Sequence, residues 1–322
     1  MPYRQLPSHP RRPRVHFDPS RARIYEMGMI QHGWETLEAL HRFRYLTSWQ
    51  VAKLLFLGRP NLAGQDRGAE AARKAANERC LRRLKDRQLI QTRQAMLTHR
   101  STWKRQEYNV LTHLGHLLLC DRLVARGVTP PEWDPTRSEI APEILAHALG
   151  LNDVGIAFAR SAEFHQGQLD GWIDDFAARR ARGQVQTGTL IPDAAAVLHL
   201  PNRRVLAFIE LDRGTEPVAS PALNSWRTKV ARYGAYLERE FHTDPFFAGF
   251  SSALVLSVTT SPTRLAHLLE ETERGHPARE HWWFALSDWL EPPFDALGPI
   301  WQRPHAPGCF FSLLDEMALR SA

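Results

Sequence analysis

The sequence predicts a protein in two parts, an α+β module of helices ending in a β-hairpin and then a larger α/β domain of alternating helices and strands. Three observations carry that prediction. Residues 1–135 hold 24 Lys and Arg against 12 Asp and Glu, whereas 136–322 hold 17 against 23, so the parts differ in the sign of their charge. The run Thr129-Pro130-Pro131-Glu132-Trp133-Asp134-Pro135 interrupts the helical pattern between them. Beyond residue 189 the apolar spacing changes from the helical period to that of strands. The expected organisation is a basic tail (1–23), a first module (24–126), a proline-rich linker with few contacts across it (127–137) and a second domain (138–322). With 322 residues, 43% of them hydrophobic, the chain can bury two cores.

In the first part, Trp34, Leu37, Leu40 and Phe43 repeat at helical spacing over 31–44. Thr47, with Gln50 three residues on, is a capping-box signature that starts a second helix at Ser48, running to about Leu57. Breakers at Gly58, Pro60, Asn61, Gly64 and Gly68 predict a loop, and a third helix follows from Ala69 to about Gln88. At 100° per residue that helix places Cys80, Leu81 and Leu84 on one side and Arg79, Arg82 and Arg83 on the other. Two strand-like runs, 89–92 and 107–111, flank a charged stretch containing Arg100, Lys104 and Arg105, the pattern of a hairpin with a basic tip. Helix, helix, helix, hairpin is the order of a winged helix-turn-helix, whose third helix enters the major groove while the wing meets phosphate. Double-stranded DNA is therefore the expected partner, with Arg73, Lys74, Arg79, Arg82, Arg83, Arg100, Lys104 and Arg105 as its contacts.

An apolar helix over 112–126 closes the module. In the second part helices are expected over 142–160 and 170–182, strands over 189–200 and 204–211, then a helix from 222 to about 240, a strand 253–259, a helix 262–274 and a strand around 282–286. Trp282, Trp283, Trp289 and Trp301 are expected in the core, and His113 and His116 as helix-packing or surface residues. Cys80, Cys120 and Cys309 form no C-x-x-C pair, so buried thiols are expected instead of a zinc or disulfide framework. No apolar run approaches a membrane span and the first residues, Met1-Pro2-Tyr3-Arg4-Gln5, carry no apolar signal region, so a soluble cytoplasmic protein without a membrane partner is expected.

The chemistry concentrates at Ile191-Pro192-Asp193 and Phe208-Ile209-Glu210-Leu211-Asp212. An Asp at the start of one strand and a Glu near the end of its hairpin partner bring two carboxylates to one end of a sheet. A hard cation takes such carboxylates plus water and phosphate oxygens, so Mg²⁺ or Mn²⁺ is expected between Asp193 and Glu210, with the Leu211 carbonyl as a further ligand. Asp174 and Asp175 are a weaker candidate for another carboxylate.

These residues resemble the PD-(D/E)xK nuclease core, and the wider run resembles the replication-relaxation family of plasmid and mobile-element proteins. The resemblance spans most of 31–260. It is carried by Leu46–Gln50, Leu81-Arg82-Arg83-Leu84, Tyr108–Gly115, Ala146–Val154, Ile191-Pro192-Asp193, Glu210–Glu216 and Lys229-Val230-Ala231-Arg232-Tyr233. It implies a restriction-endonuclease-like second domain with a mixed sheet, and a DNA-binding protein of plasmid replication and DNA relaxation, associated with nucleoid or plasmid in a bacterium. A homodimer and contact with replication or mobilisation proteins are compatible with it.

One departure matters. The nuclease pattern has Lys two residues after the Glu, where this chain has Asp212, and a carboxylate cannot take the place of an ammonium. Either another cation serves, with Lys229 or Arg213 as candidates, or the site binds without cutting. Lys229 and Tyr233 are spaced i, i+4 and share a helix face that would look onto the carboxylates. The expected catalytic set is thus Asp193, Glu210, Asp212, Lys229 and Tyr233 for a metal-dependent nickase or nuclease. The alternative is a regulator or replication accessory factor with a degenerate nuclease-like domain.

Overall fold

The computed structural model describes residues 29, 31–57, 65–99, 102–181, 190–201, 203–214, 217–218, 225–244, 247, 249–275, 277–292 and 295–315. The basic tail lies outside them. Helices α1 (Gln31–Phe43) and α2 (Ser48–Leu55) follow the predicted pattern, and Thr47 with Gln50 makes both bonds of the capping box. The third predicted helix starts earlier than expected, as α3 (Gln65–Ala75), passes through a π-helical stretch (Ala76–Leu81) and ends as α4 (Arg82–Asp86). Its buried side is Cys80, Leu81 and Leu84, as the helical spacing requires. Strands β1 (Ile90–His99) and β2 (Thr102–Leu111) form an antiparallel hairpin, and α5 (His113–Ala125) follows.

The second part is built on α6 (Pro142–Phe164) and one seven-stranded sheet. Its strands are β3 (Gln168–Asp174), β4 (Ala194–Leu200), β5 (Arg203–Asp212), β6 (Ala253–Thr259), β7 (Trp282–Leu286), β8 (Pro299–Arg303) and β9 (Ala306–Ser312), lying in chain order. The first three are antiparallel, β5, β6 and β7 are parallel, and the last pairs are antiparallel again, so the sheet is mixed. Ala207, Ile209 and Leu211 of β5 face the cluster that includes α6 residues, whereas Leu206 and Phe208 face α8 (Trp226–Arg239) and α9 (Pro262–Gly275). Two glycines let α6 come close. A Cβ on Gly155 would lie 2.6 Å from the Phe43 ring, and one on Gly150 would lie 2.8 Å from Leu211.

Three expectations are corrected. Residues 168–174 form an edge strand instead of the start of a helix, because Leu169 and Trp172 bury against the sheet; only the short α7 (Asp175–Ala181) is helical. The tryptophan-rich tail adds β8 and β9, which were not anticipated; Trp282, Trp283 and Trp301 are core residues, whereas Trp289 is only partly buried. Of the cysteines only Cys80 is buried, and Cys309 is exposed on β9, since edge residues 307–310 point to solvent.

The stretch 127–137 also differs from a contact-free linker. His116 packs on Trp133, and the Arg137 guanidinium donates to the His41 carbonyl. Burial and the Arg137 charge push the His41 imidazole down to about 3, and burial pushes His116 down to about 4, so both stay neutral packing residues. The cavity lined by His41, His116, Trp133 and Arg137 lies in this seam. Across the seam, Asn152 Nδ2 donates to the carbonyls of Phe43 and Tyr45, Gln50 Nε2 donates to the Leu149 carbonyl at 2.7 Å, and buried Lys53 pairs with Asp153 at 2.6 Å and Glu291 at 2.8 Å. Arg44, held at a positive φ of 63° after α1, donates to Asp174, Tyr45 and the Arg137 carbonyl. No described helix is long and apolar enough to cross a membrane.

Asn152→Ala removes two of these bonds and should destabilise the protein by about 2 kcal/mol. Because one core cluster spans both parts, chemical denaturation should show a single transition at lower midpoint. Two separated transitions in the parent protein would contradict this.

Candidate functional site

The two carboxylates predicted to converge do so. In the β4–β5 hairpin Ala194 pairs with Ile209, which sets Asp193 beside Glu210 at one end of the sheet. Asp193 Oδ2 accepts the Leu211 backbone N–H at 2.9 Å and lies 3.4 Å from His147 Nε2 on α6. The Asp193 carbonyl accepts from the N–H of Asp175, at the start of α7. Glu210 is buried and accepts from both residues predicted to share a helix face: Lys229 Nζ donates to Oε2 at 2.7 Å, and the Tyr233 hydroxyl donates to Oε1. The α8 helix holds that pair in place through a Ser225 cap and a buried Trp226, Val230 and Tyr233 stripe against β5 and β7.

Asp212 lies on the same face of β5 but belongs to a separate ion pair. Arg264 Nε donates to its Oδ2 at 2.8 Å and Nη2 to its Oδ1 at 2.7 Å, while Thr259 on β6 donates to Oδ2 at 2.9 Å. The carboxylate that departs from the nuclease pattern is thus neutralised by a guanidinium from the first turn of α9. Arg213, the other candidate cation, is exposed. Asp174 accepts from Arg44 and from the Ala177 N–H, so it serves packing, and Asp175 pairs with Arg179 at 3.6 Å.

His147 and Arg264 were not anticipated as site residues. His147 stands inside a stretch quoted for its family likeness, but its partner Asp193 is remote in sequence and no spacing links them. For Arg264 the signal was indirect: a strand as apolar as β5 buries Asp212, and a buried carboxylate requires a cation.

Charge is unevenly shared in the site. Burial and the neighbouring Asp193 charge raise the Glu210 carboxyl to about 7, against the pull of Lys229 and Tyr233. Burial also acts to raise Asp193, but His147, Lys229 and the Leu211 N–H outweigh it and hold this carboxyl below its usual range. Burial likewise opposes charge on His147, and Asp193 overcomes it and raises the imidazole. Tyr233 is raised by burial and by Glu210, so it stays a neutral donor. Among the described residues no group of three or more His, Cys, Asp and Glu is arranged to hold a metal. Two carboxylates do suffice for Mg²⁺, which keeps most of its waters. The Ser257 hydroxyl, buried in register beside Glu210 and with no hydrogen-bond partner among the described residues, fits a site that carries water.

The predicted DNA contacts are distributed along the first part. Arg82 and Arg83 are exposed on α4, Lys74 is exposed on α3, and Arg73 lies over the Trp49 ring at 4.3 Å. Lys104 and Arg105 are exposed on β2. Arg100 and the side chain of Arg79 lie outside the described residues.

Two predictions follow from the pairings. Arg264→Ala leaves Asp212 buried without its cation and should cost about 3–5 kcal/mol, most of it recovered by adding Asp212→Asn, as a denaturation series would read. Since Glu210 titrates near 7 when folded and near 4.5 when unfolded, the native state binds the extra proton between those values. The Glu210 contribution to stability therefore grows as pH falls from 7 to 4.5 and is lost as pH rises through 7; Glu210→Gln should flatten the pH dependence of the midpoint over that window.

Comparison with known proteins gives two results, and among curated proteins none matches. Two solved chains of the restriction endonuclease FokI, one of them bound to DNA, are similar at 10% identity with TM-scores of 0.20 and 0.21. The alignments cover 76% and 84% of this chain and 66% and 68% of the endonuclease chains. The replication-relaxation family matches residues 37–247. That match takes in the capping box, the hairpin, α6, Asp193, Glu210, Lys229 and Tyr233, and with more than half of its length inside it, the chain belongs to the replication-relaxation family.

Proposed function

We propose that this protein binds duplex DNA in the replication or relaxation of a plasmid or other mobile element, and that its sheet-end carboxylates form the divalent-metal site of a DNA nickase or nuclease. Family membership supports the setting. The observation that carries the chemistry is the Lys229–Glu210 pair: an ammonium delivered from α8 reaches the carboxylate at 2.7 Å, supplying the cation missing where Asp212 stands. In this reading residues 24–126 are a winged helix that docks on duplex DNA through Arg82 and Arg83, with Arg73, Lys74, Arg79, Arg100, Lys104 and Arg105 on phosphate. Residues 138–322 are a restriction-endonuclease-like domain, and the protein works on nucleoid or plasmid DNA in the cytoplasm.

Asp193 and Glu210, with the Leu211 carbonyl, would hold Mg²⁺ or Mn²⁺. When bound, such a cation polarises a phosphoryl oxygen and acidifies water. Lys229 would stabilise negative charge developing on the phosphate, Tyr233 would orient Glu210, and His147 would orient Asp193. Asp212 would anchor Arg264 and take no part in the reaction. A second reading, a non-catalytic accessory factor, is favoured by one observation: both Glu210 oxygens are already engaged, by Lys229 and Tyr233.

Mn²⁺ titration by calorimetry and nicking of supercoiled DNA separate the two. Asp193→Ala or Glu210→Ala should abolish metal binding and nicking while leaving duplex affinity intact. Lys229→Ala should slow nicking by roughly a hundredfold, the equivalent of about 3 kcal/mol, and Lys229→Arg should restore it only in part. Metal affinity should rise with pH through about 7, because the cation displaces the Glu210 proton. A protein that binds DNA with neither metal binding nor nicking, and an Asp193 variant like the parent, would establish the accessory role. Arg82→Ala with Arg83→Ala should weaken duplex binding by about tenfold or more, with a shallower salt dependence.

A further inference from the structure

The β1–β2 hairpin has an inner and an outer face. Pairing of Met96 with Arg105, Leu97 with Lys104 and Thr98 with Trp103 fixes which residues share a side. On the inner face Ala95, Leu97 and Tyr108 join the cluster containing Leu145 and Leu149 of α6, which leaves the hairpin no freedom to turn over. The outer face therefore carries Met96, Trp103, Arg105 and Glu107. Met96 is 48% exposed and Trp103 is 67% exposed, the highest exposure of any large apolar side chain among the described residues. Among the described residues the sheet leaves this indole mostly uncovered, so its packing does not depend on it.

We infer that the outer face of the hairpin is a stacking surface for unpaired DNA bases, with Trp103 as the stacking residue and Arg105 holding the adjoining phosphate. This rests on the duplex-docking reading above. Charge selects the occupant. Residues 90–111 hold Arg93, Arg100, Lys104 and Arg105 against a single acidic residue, Glu107, which is held by Gln94 at 2.8 Å and lies 3.7 Å from Arg105; on the outer face Arg105 is the cation beside the indole, and Lys104, paired with Leu97, lies on the opposite side. An indole beside a guanidinium, on a hairpin of net positive charge, suits a strand that alternates π-faces with phosphates. Trp103 and Arg105, two residues apart on one strand face, stand about 7 Å from each other, comparable to one nucleotide step of an extended strand. The bases must be unpaired, because within a duplex both faces of each base are already covered by its neighbours. A wing of this kind would direct the protein to duplex DNA bordering an opened region, the substrate that replication or relaxation produces.

The test compares the full chain and its Trp103→Ala and Trp103→Phe variants on one labelled duplex and on the same duplex with a central unpaired bubble, by fluorescence anisotropy at fixed salt. Trp103 is exposed, so all three should melt alike. The parent should prefer the bubble, Trp103→Ala should lose about tenfold or more on the bubble while changing little on the duplex, and Trp103→Phe should retain most of the preference. Equal loss on both DNAs, or no loss on either, overturns the stacking role while leaving duplex docking standing. Altered self-association of Trp103→Ala in sedimentation without altered bubble binding would assign the face to a protein partner and also overturn it. Failure of the parent to bind either DNA would remove the docking reading and this inference together.

Discussion

Holding two like charges, Asp193 and Glu210, together at the end of a sheet is the constraint on which the rest of the second part depends. Left alone, one of them would take up a proton; burial, and after it the neighbouring Asp193 charge, raise Glu210 to about 7. The chain answers it from three directions. The α8 helix brings Lys229 and Tyr233 to Glu210, α6 brings His147 to Asp193, and the backbone N–H of Leu211 completes the Asp193 shell. Asp212, two residues on, meets the same requirement through α9 and Arg264. The helices on the α8–α9 face are thus positioned by charge as well as by the apolar stripe beneath them.

Helix α6 performs two tasks at once. Its His147 reaches the carboxylate site, while Leu149, Asn152 and Asp153, within the next two turns, bond to the first part through Gln50, the carbonyls of Phe43 and Tyr45, and Lys53. The carboxylate end of the sheet and the basic module therefore share one rigid element. Buried polar bonds of this kind are directional, so they specify how the parts meet more sharply than apolar contact would. The Gly155 approach to Phe43 and Trp172 serves the same seam, since any side chain there would hold the helices apart.

Much of this was legible in advance where one local pattern dominated. The Thr47–Gln50 capping box, the Cys80, Leu81 and Leu84 face, and the i, i+4 pairing of Lys229 with Tyr233 each needed only a few consecutive residues. Elsewhere burial overrode local pattern. Asp170 to Asp174 could be read as a helix, but Leu169 and Trp172 gain more by burying against β4, and an edge strand resulted. Proline density over 129–135 suggested a linker, yet Trp133 and Arg137 found partners on α5 and α1.

By itself the sequence determined which residue types could meet. Strand periodicity around a short hairpin forces Asp193 and Glu210 to one sheet end, and a single lysine beyond residue 104 leaves few sources for an ammonium there. Only the tertiary structure decided which cation each carboxylate received. Lys229 went to Glu210 and Arg264 to Asp212 because parallel crossovers from β5 to β6 and from β6 to β7 lay α8 and α9 side by side over one face. His147 came to Asp193 by packing of α6 on the other face. Ion pairs between elements far apart in the chain leave no local periodicity, since their spacing is set by where whole helices dock and not by any repeat along the chain.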